Sequence, residues 1–166
     1  MEKTEFNQLL KQLRPKLYRF ALALAKRADE AEDAVQEVGV RLWERRSELG
    51  ALRSVEAYAM SAVRNRCLDY ARSPRSRTNE LNETHDSPHE LTPHSALEQA
   101  DTLAFVKLLV NRLPEQQKAV VHLRDIEGYE LEEIANVLKM NSAAVRSNLS
   151  RARQKLREEL LKQQRL

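Results

Sequence analysis

The sequence predicts an all-α protein made of two small helical domains joined by a flexible linker. Three observations lead to this prediction. The chain has only three glycines, 5% aromatic residues and 32% charged residues among 166 positions, which suits helices better than strands. Apolar residues recur at steps of three and four on both sides of a central segment. That segment, residues 74–95, holds three of the five prolines and few apolar residues, so it is expected to be a linker between domains at 1–73 and 96–166.

The first helix of the N-terminal domain is predicted from one buried stripe. Leu13, Leu17, Phe20 and Leu24 recur at helical spacing. Pro15 lies inside this pattern, so the helix is expected either to start near it or to bend there.

Two further helices complete the first domain. Asp29 is a candidate N-cap for the second helix, and Ser54 is a candidate N-cap for a third helix that runs to about Tyr70. The inner face of the second helix is predicted to consist of Ala31, Val35, Val38 and Leu42.

The second domain begins with a helical pattern from Ser95 to Leu113. Pro114 then opens another helix, and Gly128 is expected to end it. The core candidates of that helix are Val120, Val121 and Leu123.

The chain closes with a helix-turn-helix pattern. Two amphipathic helices flank a turn made by Lys139, Met140 and Asn141, and Asn141 or Ser142 is the candidate N-cap of the second helix. The inward positions are predicted to be Leu131, Ile134, Ala135 and Leu138 in the first helix, and Val145, Leu149, Ala152 and Leu156 in the second.

The outward face of the last helix carries arginine and serine. Arginine makes bidentate contacts to guanine or phosphate, serine contacts either, and a helix of this kind fits the DNA major groove. The outward residues are predicted to be Arg146, Ser147, Ser150, Arg151 and Arg153. An ordinary helical hairpin with a charged face is the alternative, and the charge bias and the small residue at position 135 favour DNA binding.

Charge is unevenly distributed, although the net charge is only +3. Residues 28–40 contain five acids and no base, residues 64–77 contain five arginines and one acid, and residues 139–166 contain eight bases and two acids. One acidic and two basic faces indicate one protein partner and two polyanion contacts. Any single cluster is equally well explained as a solvated helix face.

Metal, redox and membrane roles find little support in the sequence. Cys67 is the sole cysteine and is expected to be a packed thiol, since it has no partner for an internal disulfide. His85, His89 and His94 lie in the predicted linker without ordered neighbours, so neither a metal nor a cofactor is expected. No membrane-spanning apolar run, signal-peptide core or catalytic constellation is present, and a non-enzymatic cytoplasmic protein is therefore expected.

The C-terminal motifs resemble those of the extracytoplasmic-function (group IV) sigma factors of bacterial RNA polymerase. Residues 113–135, LPEQQKAVVHLRDIEGYELEEIA, look like the family's region 4, and residues 145–153, VRSNLSRAR, look like its recognition helix. The resemblance implies contacts to a −35 promoter element by Arg146, Ser147, Asn148, Ser150 and Arg151.

The first domain shows the same resemblance independently. Residues 31–43, AEDAVQEVGVRLW, resemble region 2.2, which docks on the clamp of the polymerase's largest subunit. The matching contacts would be Asp33, Gln36 and Glu37, and an acidic helix is electrostatically suited to a basic protein surface. Alternatively, the helix dipole favours acidic residues at the N-terminus of the helix. This explanation accounts for Asp29 and Glu30 better than for Glu37.

Residues 58–72, YAMSAVRNRCLDYAR, look like regions 2.3 and 2.4, which melt the −10 element and capture an unstacked base. The resemblance implies that Tyr58 stacks at the fork, Asn65 reads a base edge, and Arg64 and Arg66 meet phosphate. The loop from about residue 47 to Arg53 would form the base pocket. Tyr58 could equally be a core residue.

The resemblance also implies partners and leaves alternatives. The implied partners are core RNA polymerase, through its clamp and flap, promoter DNA and an anti-sigma factor. Three residues depart from the family's usual pattern. Tyr58 stands where tryptophan is common, Ser150 stands where a bulkier residue is common, and Gly39 is unusual in the middle of a helix. These departures bear on which promoter sequence is recognised more than on the function. Two alternative functions remain open. One is a stand-alone dimeric regulator, against which the lack of a heptad-like dimer helix argues. The other is a protein-binding decoy, against which the basic recognition helix argues.

Overall fold

The computed structural model describes residues 1–73 and 98–164, and these residues form an all-helical structure, which confirms the predicted fold class. The helices are α1 (Lys3–Leu24), α2 (Ala28–Glu44), α3 (Val55–Arg72), α4 (Glu98–Asn111), α5 (Glu115–Val121), α6 (Leu131–Leu138) and α7 (Ser142–Gln164). A short 3₁₀ turn (Leu49–Ala51) precedes α3, and a π-helix (His122–Ile126) continues α5. The predicted linker, with His85, His89 and His94, lies outside the described residues.

Helices α1, α2 and α3 pack together as one bundle. Leu13, Leu17 and Phe20 are buried as predicted, but α1 begins at Lys3, well before Pro15. A capping box at its start stabilises the early turns, and Phe6 adds a buried anchor there. Pro15 lies inside α1 at an exposed position.

The start of α2 corrects one prediction. Asp29 is not the N-cap: it lies in the first turn, and its carboxylate accepts a hydrogen bond from the Glu30 N–H at 2.9 Å. Arg27 holds the cap position, so the helix starts earlier than the capping preference indicated. The predicted inner face, Ala31, Val35, Val38 and Leu42, is buried.

The start of α3 agrees with the sequence. Ser54 accepts a hydrogen bond from the Ala57 N–H through its Oγ at 3.1 Å. This cap sets the register that turns Ala59, Met60 and Val63 into the core.

The second half of the chain contains a feature that the sequence pattern did not predict. Between α5 and Gly128 the backbone widens into the π-helix, and Gly128 then adopts a φ of 76°, a left-handed conformation in which a side chain is strained. The predicted core residues Val120, Val121 and Leu123 are all buried.

The helix-turn-helix is formed by α6 and α7. Lys139 ends α6 with a φ of 54°, and Asn141 caps α7 by accepting the Ala144 N–H at 2.7 Å. On α7, Val145, Leu149 and Ala152 are buried as predicted. Three other predicted inward residues, Leu131, Ala135 and Leu156, are half-buried against the same core, as is Met140 of the turn.

The two halves pack against each other. Helix α1 contacts α5 and the π-helix, and α3 contacts α6. The hydrophobic core is therefore continuous between the halves. Among the described helices, none combines the length and apolar character that crossing a membrane requires.

The glycines on α2 and before α6 should respond oppositely to alanine. A Cβ at Gly39 would meet the nearest Leu10 side-chain carbon at 3.7 Å, an ordinary contact, so Gly39→Ala should raise the free energy of unfolding by about 0.5–1 kcal/mol. At Gly128 the left-handed backbone should make alanine destabilising by about 1 kcal/mol. Urea denaturation measures both, and a destabilised Gly39→Ala variant would contradict the packing described for α2.

Candidate nucleic-acid interface

The helix-turn-helix presents part of its predicted −35 surface to solvent. Arg146, Ser150 and Arg151 are exposed on α7. Ser147 and Asn148 are half-buried, and the Asn148 amide donates to a backbone carbonyl one turn earlier at 2.8 Å. The outward face therefore consists mainly of the two arginines and Ser150.

A cavity of about 440 Å³ extends this surface along α7. Arg153, at its edge, is held by Asp125 of the π-helix, with 2.5 Å between Nη2 and Oδ1. Gln154 and Arg157 also border the cavity and were not among the predicted site residues. They follow Arg146 by eight and eleven residues, a spacing that places all three on one side of a helix. This spacing could have identified them as site residues from the sequence.

Three of the predicted −10 residues border one cavity of about 340 Å³. Arg53, Tyr58 and Asn65 lie on the first-domain side of it. Asn136 and Lys139, from α6 and its C-terminal cap, border it from the other side. The predicted base-reading surface is therefore shared with the second half of the chain.

Tyr58 is half-buried at this cavity, with its ring partly against the core and its hydroxyl outside it. Arg45 donates to that hydroxyl from Nη1 at 2.8 Å, and Glu48 holds Arg45 at 2.8 Å. Arg45, at the end of α2, thus fixes the ring. The ring packs partly on the core and partly borders the cavity, so its position is compatible with either predicted role, core packing or base stacking.

The two arginines predicted to meet phosphate already have carboxylate partners. Arg64 forms a two-pronged ion pair with Glu115, with Nε–Oε1 at 2.9 Å and Nη2–Oε2 at 3.1 Å, and its side chain is only 13% exposed. Arg66 pairs with Glu37 and lies 4.2 Å from the centre of the Tyr70 ring. In this arrangement both guanidinium groups are engaged by acids of the same chain.

The predicted polymerase-binding residues lie on the outer side of α2. Asp33 and Gln36 are exposed, whereas Glu37 is half-buried and turned towards Arg66, with Arg41 also 3.9 Å away. Two of the three residues are therefore presented to solvent, and the third ties α2 to α3.

The contact between the halves centres on Glu127. Its side chain is 3% exposed, and Arg19 of α1 binds it through Nε at 2.7 Å and Nη2 at 3.0 Å. Its Oε1 also lies 3.4 Å from the buried His122 Nε2. The His122 ring in turn stacks on Phe20 of α1, with centroids 5.4 Å apart.

These surroundings shift two pKa values. Burial lowers the pKa of His122, and the nearby Glu127 carboxylate only partly offsets that effect. The hydrogen bond from Arg19 lowers the pKa of Glu127. The pair is therefore a neutral imidazole beside a carboxylate whose charge is compensated from the other half of the chain.

A second polar contact lies nearby. Lys16 Nζ binds Glu56 Oε1 at 2.9 Å within the first bundle, and the buried Tyr129 hydroxyl of the second half lies close to the same carboxylate. Burial, together with Glu56, raises the pKa of Tyr129.

The described residues were compared with the side-chain clusters that bind metal ions. They contain no cluster of three or more histidine, cysteine or acidic side chains that could hold an ion. Cys67 is buried, as expected for a packed thiol, and burial raises its pKa to about 12.

Both halves match known sequence families. Residues 9–78 match the family described as Sigma-70 region 2, and residues 106–156 match Sigma-70, region 4. The chain is 30% identical over 148 residues, 85% of its length, to the probable RNA polymerase sigma factor RfaY of Xanthomonas campestris pv. campestris. It is 32% identical over 144 residues, again 85% of its length, to the ECF RNA polymerase sigma factor SigL of Mycobacterium tuberculosis. The chain spans 36% of the Xanthomonas protein and 80% of the Mycobacterium protein.

Solved structures resemble the fold as a whole. The sigma factor RpoE from Bartonella quintana, solved in complex with the anti-sigma factor NepR, matches with a TM-score of 0.72 and 26% identity over 94% of this chain and 96% of that one. CnrH, solved with the cytosolic domain of CnrY, matches with a TM-score of 0.70 and 22% identity over 96% of this chain and 89% of that one, a likeness of fold alone.

The buried imidazole predicts a loss of stability in mild acid. Because the pKa of His122 is lower in the folded chain than in the unfolded chain, where it is about 6.5, the unfolded state binds more protons below that pH. The free energy of unfolding should therefore fall between pH 7.5 and 5.5. His122→Phe, which retains a ring against Phe20, should flatten this decline. Urea denaturation across the range tests it, and an equally steep decline in the variant would show that other groups cause it.

Proposed function

The chain belongs to the sigma-70 family of RNA polymerase sigma factors, which direct promoter-specific transcription initiation, and we propose that it is an extracytoplasmic-function (group IV) member. In this proposal it binds core polymerase through α2, reads a −35 element with α7 and opens a −10 element with α3. The observation that carries the proposal is the joint presence, on one chain, of an exposed arginine-bearing helix in a helix-turn-helix and a separate cavity bordered by Arg53, Tyr58 and Asn65.

The −35 role is assigned to the outward side of α7. Arg146, Ser150 and Arg151 project from a helix whose opposite side is anchored in the core, so their positions are fixed relative to the turn. Such rigid presentation suits base-edge and phosphate contacts in the major groove. Ser147 and Asn148, at half-buried positions, are assigned supporting contacts.

The −10 role is assigned to the cavity beside α3. Opening duplex DNA costs about 1.4 kcal/mol per base-pair step, and stacking on an aromatic ring returns about 1–3 kcal/mol per base. Tyr58 supplies that ring, Asn65 supplies a base-reading amide and Arg53 supplies positive charge. Arg64 and Arg66 would contact phosphate by exchanging their present partners, Glu115 and Glu37, for it. Stacking of one captured base thus offsets the opening of about one step, and further opening relies on strand contacts.

The polymerase-binding role is assigned to Asp33 and Gln36, with Glu37 acting in part through Arg66. An exposed acidic residue on a rigid helix suits a basic partner surface such as the proposed polymerase clamp. A polymerase flap contact is proposed for the region 4 half on resemblance alone.

The two domains, at 1–73 and 96–166, would act together through the linker at 74–95. Tethering on one polymerase raises the effective concentration of each domain at its own DNA element. This role forms and breaks no covalent bond, and we propose a non-enzymatic protein that works in the cytoplasm with polymerase. Likeness to the Bartonella sigma factor, solved with NepR, adds an anti-sigma protein to the proposed partners.

Polymerase binding should depend on the charge at Asp33. Asp33→Lys should weaken retention of purified core polymerase, because it places a cation against the proposed basic surface. Glu44→Lys, the same charge change at an exposed position near the other end of α2, is the matched control. Pulldown of core polymerase with tagged full-length chain measures the effect, and equal retention by both variants would remove the assignment.

Promoter use should depend on α7. Removing Arg146 or Arg151 should cost about 1–3 kcal/mol of DNA binding, or roughly 5- to 150-fold, if each contacts a base or phosphate closely. Run-off transcription, from a promoter that the wild-type holoenzyme selects, should fall for Arg146→Ala and Arg151→Ala but not for Arg112→Ala, an exposed arginine outside α7. Undiminished transcription by the α7 variants would exclude this surface.

A further inference from the structure

We propose that Arg45 is a positioning residue for Tyr58, holding its ring where a base of the opened −10 strand can stack on it. The proposal rests on the −10 role proposed above and adds a residue that was not among the predicted contacts. In this proposal Arg45 acts through Tyr58 and does not itself touch the captured base.

Arg45 joins the end of α2 to the start of α3. It is the C-terminal cap of α2, and its Nη1 donates to the Tyr58 hydroxyl at 2.8 Å. Its Nε and Nη2 both bind one carboxylate oxygen of Glu48, Oε2, at 2.9 and 2.8 Å. The guanidinium is thus a bridge from Glu48 to Tyr58, and all three of its nitrogen atoms are engaged in it.

Glu48 gives this bridge a fixed attachment. Its backbone N–H donates to the Arg45 carbonyl at 2.9 Å, and its own carbonyl accepts from the Ala51 N–H at 3.1 Å. The adjacent Leu49 is buried, so the loop is also anchored in the core. Because backbone hydrogen bonds and an apolar anchor fix the loop, the carboxylate that orients Arg45 keeps its position.

The contact depends on the hydroxyl group of Tyr58. Arginine has donors and no acceptor, so its partner must offer a lone pair, and neither a phenylalanine ring nor an indole offers one to it in this way. Since the hydroxyl oxygen accepts from Arg45, the ring is held in the orientation that borders the cavity. Removing either the hydroxyl or the guanidinium should therefore release the ring to the same extent.

Arg45 holds Tyr58 by its hydroxyl end rather than by covering the face of the ring. The Arg45 Cζ atom lies 5.7 Å from the centre of the Tyr58 ring, whereas Arg66 lies 4.2 Å from the centre of the Tyr70 ring. An arginine at the shorter distance occupies the ring face that a base would use. At Tyr58 a base can stack while the hydrogen bond to Arg45 persists.

The bridge contributes little to folding and acts on the freedom of the ring. The Arg45 and Glu48 side chains are 55% and 61% exposed, and exposed ion pairs stabilise a folded chain only weakly. A side chain that is already ordered in its binding conformation loses less freedom when its partner binds. For one side chain this gain in affinity is about 2- to 12-fold.

A double-mutant cycle tests whether Tyr58 depends on Arg45. Arg45→Gln removes the guanidinium, and Tyr58→Phe keeps the ring but removes the acceptor. Because both break the same hydrogen bond, the double variant should be no worse than either single variant. Arg41→Gln is the matched control, since Arg41 is also 55% exposed on α2 and borders the cavity but pairs with Glu37. Its effect should add in full to that of Tyr58→Phe.

The measurement uses holoenzyme reconstituted from the full-length chain and core polymerase, on a promoter that the wild-type holoenzyme selects. The half-life of open complexes after heparin challenge reports how firmly the opened strand is held. 2-Aminopurine replaces each adenine of the non-template −10 strand in turn and reports stacking, because stacking quenches its fluorescence. For Arg45→Gln and Tyr58→Phe we expect half-lives about 2- to 12-fold shorter and brighter 2-aminopurine, with unchanged circular dichroism.

Three contrary outcomes are distinguishable. Additive effects of Arg45→Gln and Tyr58→Phe would show that Arg45 acts separately from the hydroxyl, as on a phosphate, and would exclude the positioning role. A shorter half-life for Tyr58→Ala, with Arg45→Gln and Tyr58→Phe both equal to wild type, would exclude positioning but leave stacking in place. Wild-type behaviour of Tyr58→Ala itself would exclude the −10 role of Tyr58, and this inference with it.

Discussion

The structure depends on one buried carboxylate, that of Glu127, which comes from the second half of the chain and is compensated by Arg19 from the first. A carboxylate that is 3% exposed requires a charged partner, because desolvation of an unpaired charge is costly. That requirement brings α1 against the π-helix, where Phe20 and His122 stack. In the same packing arrangement Glu115 pairs with Arg64, and α6 lies beside the cavity of α3. The position of the second half beside the proposed −10 surface therefore depends on this contact.

Local features of the fold were predictable because local sequence determines them. The buried stripe of α1, the Ser54 cap and the left-handed Gly128 follow from spacing and residue chemistry within a few positions. Of the two alternatives at Pro15, a helix start near it was wrong, because a capping box begins α1 at Lys3. Asp29 as the N-cap of α2 was also wrong, because Arg27 holds that position. The π-helix left no signal in the periodicity. The contact between the halves joins residues 108 positions apart and has no local pattern at all.

The candidate site was predictable in part. Spacing on a helix located the outward side of α7, and resemblance located α3 and the acidic part of α2. Which of these residues contact DNA or polymerase remains a prediction. The structure adds that two of the arginines, Arg64 and Arg66, are paired with Glu115 and Glu37. Sequence clusters of acids and bases that looked like separate faces for separate partners are thus, in part, partners of each other.

The most direct test of the account is a footprint of the reconstituted holoenzyme on a promoter that it selects. Hydroxyl-radical cleavage would map the protected DNA, and permanganate would map unpaired thymines. Two separate protected segments that both require polymerase and the chain together, with reactive thymines only in the downstream one, are the predicted result. A single palindromic segment protected by the chain without polymerase would contradict the account, because it would indicate a stand-alone dimeric regulator.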